Sequence, residues 1–182
     1  MNDHRKSVRL LHYDYSQAGA YFITICVKDR EPLFGSVSED AVNLSQFGHV
    51  VEEEWNKTAV IRNNVEIDEY VVMPNHFHGI VVLKDFERSD SRKEHFGAPV
   101  AGSLSTIVRL FKQACTVHIN KLRDTPHAPL WQRSYYEHIV RNDKDLQRVR
   151  EYIVNNPLQW SIDEENPKNS RGIVGARRDV PL

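Results

Sequence analysis

The chain has 182 residues, a mass of 21.2 kDa and a formal net charge of -1. That length suits one domain and buries a core without disulfide or metal staples, while the near-zero charge makes no overall case for a polyanionic partner. No apolar run approaches the roughly 18 residues of a membrane-spanning helix, no apolar stretch near the N-terminus suggests a secretory signal, and Cys26 and Cys115, in separate apolar segments, read as reduced core residues of a cytoplasmic protein. Charge is uneven along the chain: residues 1–102 carry a net -5 and residues 103–152 a net +4. There is no internal repeat or low-complexity tract.

Residues 21–28, YFITICVK, are β-branched and aromatic and predict a strand. Residues 33–44 predict a short extended excursion around Gly35. Ser45 is a suitable N-cap for a helix over 46–61, with Phe47, Val50, Val51 and Trp55 at helical spacing. Residues 65–73 and 76–83 predict two strands joined at Pro74-Asn75 as a hairpin. Residues 84–102 are polar and punctuated, a variable loop. A second helix is predicted from Ser103 to about Arg123, with Leu104, Ile107, Val108, Phe111, Cys115 and Leu122 on its apolar stripe. Residues 130–140 predict a strand. Asn142 or Asp143 then caps a third helix that Pro157 stops. The first six major elements follow the βαββαβ order of a ferredoxin-like α+β fold, an antiparallel sheet with helices on one face, followed by a C-terminal helix. Such a fold hosts many functions and decides none.

His76 and His78 flank Phe77 in a predicted strand. Alternation sends both imidazoles to one face and Phe77 to the other. Their Cα atoms lie ~6.6 Å apart, within reach of one metal ion. The pair reads equally as two hydrogen-bonded histidines at a strand end. In the third helix Leu146, Val149 and Ile153 mark the buried stripe, and Asp145, Tyr152 and Asn156 lie on its flank. Tyr152 and Asn156 are one turn apart. Tyr152 is either a packed interface tyrosine or a reactive hydroxyl; Asn156 is either a C-terminal cap or a neutral oxygen ligand.

Three blocks in order, MPNHFHGIVV, WQRSYYEHIVR and YIVNNP, resemble the REP-associated tyrosine transposases, single-tyrosine members of the HUH nucleases in which two histidines flank a hydrophobic residue. The segments GSLSTIVRLFKQA and GAYFITICVKDREPLFG are similar to that family as well, so the resemblance runs over roughly residues 8–160. It implies one transposase domain over residues 1–160, with 161–182 as a tail. It also implies His76, His78 and Asn156 as ligands of a divalent metal, Mg²⁺ or Mn²⁺, and Tyr152 as the nucleophile. Attack on DNA would leave a 5′-phosphotyrosine and a free 3′-hydroxyl, from which strand transfer needs no external energy.

The implied partner is single-stranded DNA with a hairpin. The protein would act as a monomer with its tyrosine in cis or a homodimer with it in trans, in the cytoplasm on the nucleoid. Arg109, Lys112, Arg133 and Arg141 from the basic segment are candidate DNA contacts, with Tyr13 and Tyr135 as base-stacking residues. Tyr15 and Trp131 are further aromatic candidates, packing being favoured for Trp131. In the YEHIVR block, Glu137 and His138 face opposite sides of a strand, and His138 is the candidate supporting partner of a metal ligand. His95, His118 and His127 read as surface residues.

Rival readings fit less well. A histidine-triad hydrolase needs a third histidine where Ile80 stands. An RNA-recognition module needs a K/R-G-F-x-F run that is missing. A structural zinc site needs cysteines near the histidine pair. The surviving alternative is a domesticated or non-catalytic hairpin-DNA-binding relative.

Overall fold

The computed structural model describes residues 13–85, 100–163 and 165–169. Four strands form an antiparallel sheet: β1 (Gly19–Cys26), β4 (Val65–Met73), β5 (His76–Leu83) and β6 (Tyr136–Val140), in the spatial order β4-β5-β1-β6. A two-stranded ribbon, β2 (Gly35–Ser38) and β3 (Ala41–Leu44), fills the predicted extended excursion. Helices α1 (Gln46–Val60), α2 (Leu104–Arg123) and α3 (Asp143–Gln159) complete the described chain. This is the ferredoxin-like arrangement: β1 and β4 bracket β5, and β5 and β6 bracket β1, each pair joined through a helix.

The period-2 pattern of β1 gives each face of the sheet its own character. Tyr21, Ile23 and Ile25 point one way with Phe77 and Val81 of β5, into the large core built with Trp55 of α1 and Phe111 of α2. Ring centroids there lie 4.7 Å apart for Trp55–Phe77 and 5.2 Å for Trp55–Phe111. Gly79 permits this approach, because a Cβ would sit 2.8 Å from the Phe77 ring and 2.9 Å from Trp55. Phe22, Thr24 and Cys26 occupy positions opposite Ile80, His78 and His76 on the other face, and α3 covers it by setting Val149 and Ile153 against Phe22 and Ile80.

The caps act as predicted. Ser45 accepts from the Phe47 and Gly48 amides, Ser103 from Thr106, and Asn142 from Asp145. Three expectations need correction. The strand predicted over 130–140 is ordered as strand only at Tyr136–Val140. Upstream, Trp131 makes an isolated bridge to Val27 and gives its indole N–H to the Lys112 carbonyl (3.2 Å), so this stretch follows α2 and the end of β1. Helix α3 is not stopped by Pro157 but runs to Gln159. So near the end the proline removes only the hydrogen bond to the Ile153 carbonyl, and its own carbonyl accepts from Trp160 (3.2 Å). Leu122 is 49% exposed and leaves the apolar stripe, which Ile119 continues. Within the predicted loop over 84–102, residues 86–99, including His95, lie outside the described residues.

Candidate active site

β5 begins at His76, directly after the Pro74-Asn75 turn, and alternation places His76 and His78 on the α3 side of the sheet. Their ring centroids are 4.6 Å apart. Both rings are buried, and each has its Nδ1 engaged: His76 with Asn75 Oδ1 at 2.9 Å, His78 with Thr24 Oγ1 at 2.8 Å. Phe22 stacks on His78 at 5.5 Å. Burial pushes the His76 imidazole down to about 3, against a smaller upward pull from the Asn156 side chain. Burial, and then the neighbouring His76, hold His78 well below the usual histidine range. Both are therefore neutral near pH 7, the form that binds a metal.

Helix α3 delivers the other two groups. Asn142 caps its start, Val149 and Ile153 fix its buried side, and Tyr152 and Asn156 follow on the edge facing the histidines. The Tyr152 ring lies 5.3 Å from His78 and 5.8 Å from Phe22, edge-on to both. Burial, reinforced by the negative charge of Asp163, raises the Tyr152 hydroxyl to about 12; a hydrogen bond from Asn156 works against that rise. Asn156 is 2% exposed and reaches both His76 and Tyr152.

At this site two buried polar atoms, His76 Nε2 and Asn156 Oδ1, lack a hydrogen-bond partner among the described residues. Such atoms are costly unless something satisfies them. An imidazole nitrogen and an amide oxygen at one point, beside a second imidazole, form a neutral mixed N/O donor set that suits Mn²⁺ or Mg²⁺. The residues present thus fit a divalent cation. No group of three or more His, Cys, Asp or Glu side chains that could hold a metal occurs among the described residues.

His138 lies on the same face, opposite Phe22 in the strand register, and its Nε2 meets Asp145 Oδ2 at 2.9 Å. That bond ties β6 to the first turn of α3; the histidine pair takes its support elsewhere, from Asn75 and Thr24. Glu137 pairs with Ile23 and turns to the opposite face. Asn75 and Thr24 went unread in the sequence: one stood as a turn residue, the other as a β-branched strand residue. Their only sequence signal is position, Asn75 adjoining His76, whereas Thr24 is 54 residues from its partner.

The candidate DNA contacts are scattered. Arg109, Arg133 and Arg141 are exposed. Lys112 is half-buried and gives its ammonium to the carbonyls of Gln132 (2.7 Å) and Arg133 (3.2 Å), and burial draws it down to about 8. Tyr13 is half-buried, with its ring 4.9 Å from Tyr15, and Tyr135 packs against the large core. Tyr15 and Trp131, 4% and 7% exposed, are core residues and present no face to a base. His118 lies 3.6 Å from Glu54, and His127 is exposed. Both cysteines are free thiols, Cys115 buried and Cys26 half-buried opposite His76. Among the described residues no helix is long and apolar enough to cross a membrane.

No protein-family model matches the chain. An uncharacterised protein of Haemophilus influenzae is 39% identical over 168 residues, covering 88% of this chain and 92% of its own. A second protein of the same organism, provisionally named a REP-associated tyrosine transposase, is 24% identical over 153 residues, covering 83% of this chain and 77% of its own. The solved structure of a REP-associated tyrosine transposase bound to a REP hairpin superimposes with a TM-score of 0.57 at 22% identity, over 85% of this chain and 73% of that one.

Proposed function

We propose that the chain is a member of the REP-associated tyrosine transposases, the name provisionally carried by one of its Haemophilus relatives, and that it nicks and rejoins single-stranded DNA beside a hairpin, with Tyr152 as the nucleophile. The observation that carries this reading is the meeting of His76, His78, Tyr152 and Asn156 at one buried point, with two ligand atoms unpartnered. The solved relative bound to a REP hairpin supports the choice of DNA partner.

In this mechanism His76 Nε2, His78 and Asn156 Oδ1 would hold the cation, and Asn75 and Thr24 keep the two imidazole rings aimed. A bound Mg²⁺ or Mn²⁺ would polarise the scissile phosphate and favour loss of the tyrosine proton. Tyr152 Oη attacks phosphorus in line with the departing 3′-oxygen, leaving a 5′-phosphotyrosine. The freed 3′-hydroxyl reverses the step on the same or another strand. The need for help at the tyrosine is explicit, since burial holds its hydroxyl at about 12. Tyr152 works on the histidine pair of its own chain in this reading, because α3 is packed on its own sheet through Val149 and Ile153.

In this reading the scissile phosphate enters between Tyr152 of α3 and the histidine pair of β5. A single strand threads such a cleft; a duplex brings its second strand against α3. With few phosphate contacts the salt dependence should be shallow, about -0.7 per contact on a log–log plot for single strands. The test presents one sequence as a hairpin with a single-stranded flank, as a linear strand and as a duplex, with Mn²⁺ and with chelator. The hairpin substrate should give a covalent adduct on a denaturing gel, abolished by chelator. Duplex cut equally fast, or cutting indifferent to chelator, overturns the proposal. Hairpin binding without an adduct under any metal leaves a DNA-binding protein in its place.

A further inference from the structure

Asn75 is fully buried, and its side-chain hydrogen bonds are all determined. Its amide nitrogen donates to two backbone carbonyls, Glu165 O at 2.6 Å and Arg30 O at 3.1 Å. Carbonyls accept and never donate, so this end must be the NH₂ group. The opposite end, Oδ1, faces His76 Nδ1 at 2.9 Å and is an acceptor only. His76 must therefore carry its proton on Nδ1, which leaves the lone pair on Nε2. Nε2 is the atom that stands buried without a partner, on the side of Asn156 and Tyr152.

We propose that Asn75 is the positioning residue that fixes the His76 tautomer, and that two remote segments set Asn75 in turn. Arg30 ends the short turn after β1, and Glu165 follows α3. The two are tied to each other as well, Arg30 Nε to the Glu165 carboxylate at 3.1 Å. The chain beyond α3 is thereby coupled to the ligand atom of His76, although it contributes no ligand itself. His78 has a looser arrangement. Its Nδ1 meets a hydroxyl, which rotates and can either donate or accept, so Thr24 orients the ring without dictating the tautomer. The two histidines differ: His76 is preset for metal, His78 is set when metal arrives. Supporting partners of this kind typically change metal affinity by 10- to 100-fold, about the range expected here.

This inference rests on His76 being a ligand, but the proton position is readable without metal or DNA. Long-range ¹H–¹⁵N correlation spectra of the metal-free wild-type protein should show His76 protonated on Nδ1 alone. A His76 ring protonated on Nε2, or divided between the two tautomers, overturns the proposal even if cleavage proceeds as described above. In Asn75→Ala the His76 ring should populate both tautomers and Mn²⁺ affinity should fall about 10- to 100-fold, with Tyr152 still in place. Asn75→Asp keeps an acceptor but loses the NH₂ group that the Arg30 and Glu165 carbonyls hold, so it should not regain wild-type Mn²⁺ affinity; full restoration would show that those two segments do not set Asn75 and overturns that part of the proposal. Should either variant not fold, the wild-type spectrum alone decides. If the tautomer is as stated but Mn²⁺ does not bind at all, the metal-site reading fails and the tautomer assignment stands.

Discussion

The two faces of one sheet are built on opposite terms. On the α1/α2 face, Tyr21, Ile23, Phe77 and Val81 meet Trp55, Leu104, Ile107 and Phe111 in a continuous apolar core. On the α3 face, among the described residues, a smaller buried apolar cluster of Phe22, Ile80, Val149 and Ile153 stands beside the polar Thr24, His76, His78 and Asn156. Burying neutral imidazoles and amides stabilises little and costs a good deal wherever a polar atom lacks a partner. The first face therefore supplies the stability that lets the second keep unsatisfied polar atoms. Both come from the same two strands, because alternation lets β1 and β5 be core on one side and site on the other.

If that division is right, the largest effects on chemistry come from the α3 face with the least effect on folding. Tyr152→Phe removes one oxygen and should abolish the covalent adduct while leaving hairpin binding and melting temperature close to wild type. A wild-type adduct yield would move the nucleophile elsewhere, Tyr136 being next because its ring also lies against Phe22, at 6.3 Å. His76→Ala or His78→Ala should abolish metal-dependent cleavage, and Asn156→Ala should weaken it less, since water replaces an amide oxygen more readily than an imidazole.

The reverse holds on the other face. Phe77 is fully buried between Trp55, Tyr70 and Phe111. Phe77→Ala should cost about 3–5 kcal/mol in urea unfolding. Ile153→Val, on the thin α3 cluster, should cost only about 1 kcal/mol. Protein that remains folded with Phe77→Ala should still form the adduct, since Phe77 points away from the site. Complete loss of adduct in folded Phe77→Ala protein would show that the faces are not separable.

Acid sharpens the same contrast at the root of α3. Burial alone would raise Asp145, but hydrogen bonds from Arg148, the Arg141 amide and His138 outweigh it and hold it at about 2. A carboxylate lowered on folding stabilises the native state above its unfolded value near 4, and loses that contribution as pH falls toward 2. Asp145→Asn should therefore cost roughly 1–2 kcal/mol at neutral pH, with the difference from wild type closing by about pH 2. A pH-independent difference would mean that Asp145 acts through shape alone.

How much of this was legible in the sequence follows from the range of each interaction. Ser45 and Ser103 act on amides two or three residues away, so the helix starts were readable, as was the β4–β5 hairpin about Pro74-Asn75. Two-residue periodicity put His76 and His78 on one face, and helical periodicity put Tyr152 and Asn156 on one edge; that the two edges meet came from the family resemblance. Neither periodicity told that α3 would cross to the bare face of the sheet. Lys112 was read as a candidate DNA contact because its charge is visible in sequence, while the Gln132 and Arg133 carbonyls that hold it are set by tertiary packing. Asn75, held from Arg30 and Glu165, could not be read as more than a turn residue.

The smallest effect on stability is expected where α3 is latched to the edge of the sheet. β4 slips register between Ile67 and Tyr70, and Asp68, in that irregularity, receives a two-pronged contact from Arg150: Nε at 2.9 Å and Nη2 at 2.6 Å. Hydrogen bonds from Arg150 lower Asp68 below the usual carboxylate range, ahead of the opposing effect of burial. With the arginine 40% exposed, solvent screens the pair, so its removal should lower the melting temperature by only about 2–4 °C. Its position matters more than its strength. Arg150 stands two residues before Tyr152, and a bidentate contact limits how far α3 can roll about its axis. Val149 and Ile153 alone are compact apolar contacts that tolerate some rotation. Arg150→Ala should thus lower the rate of adduct formation several-fold at low salt, with little change in melting. Arg150→Lys, which keeps the charge without the fork, should fall between. The deficit should narrow as salt rises, because screening weakens the wild-type pair as well. A fall in melting temperature above about 10 °C would instead make this pair, rather than the Val149–Ile153 cluster, the principal attachment of α3.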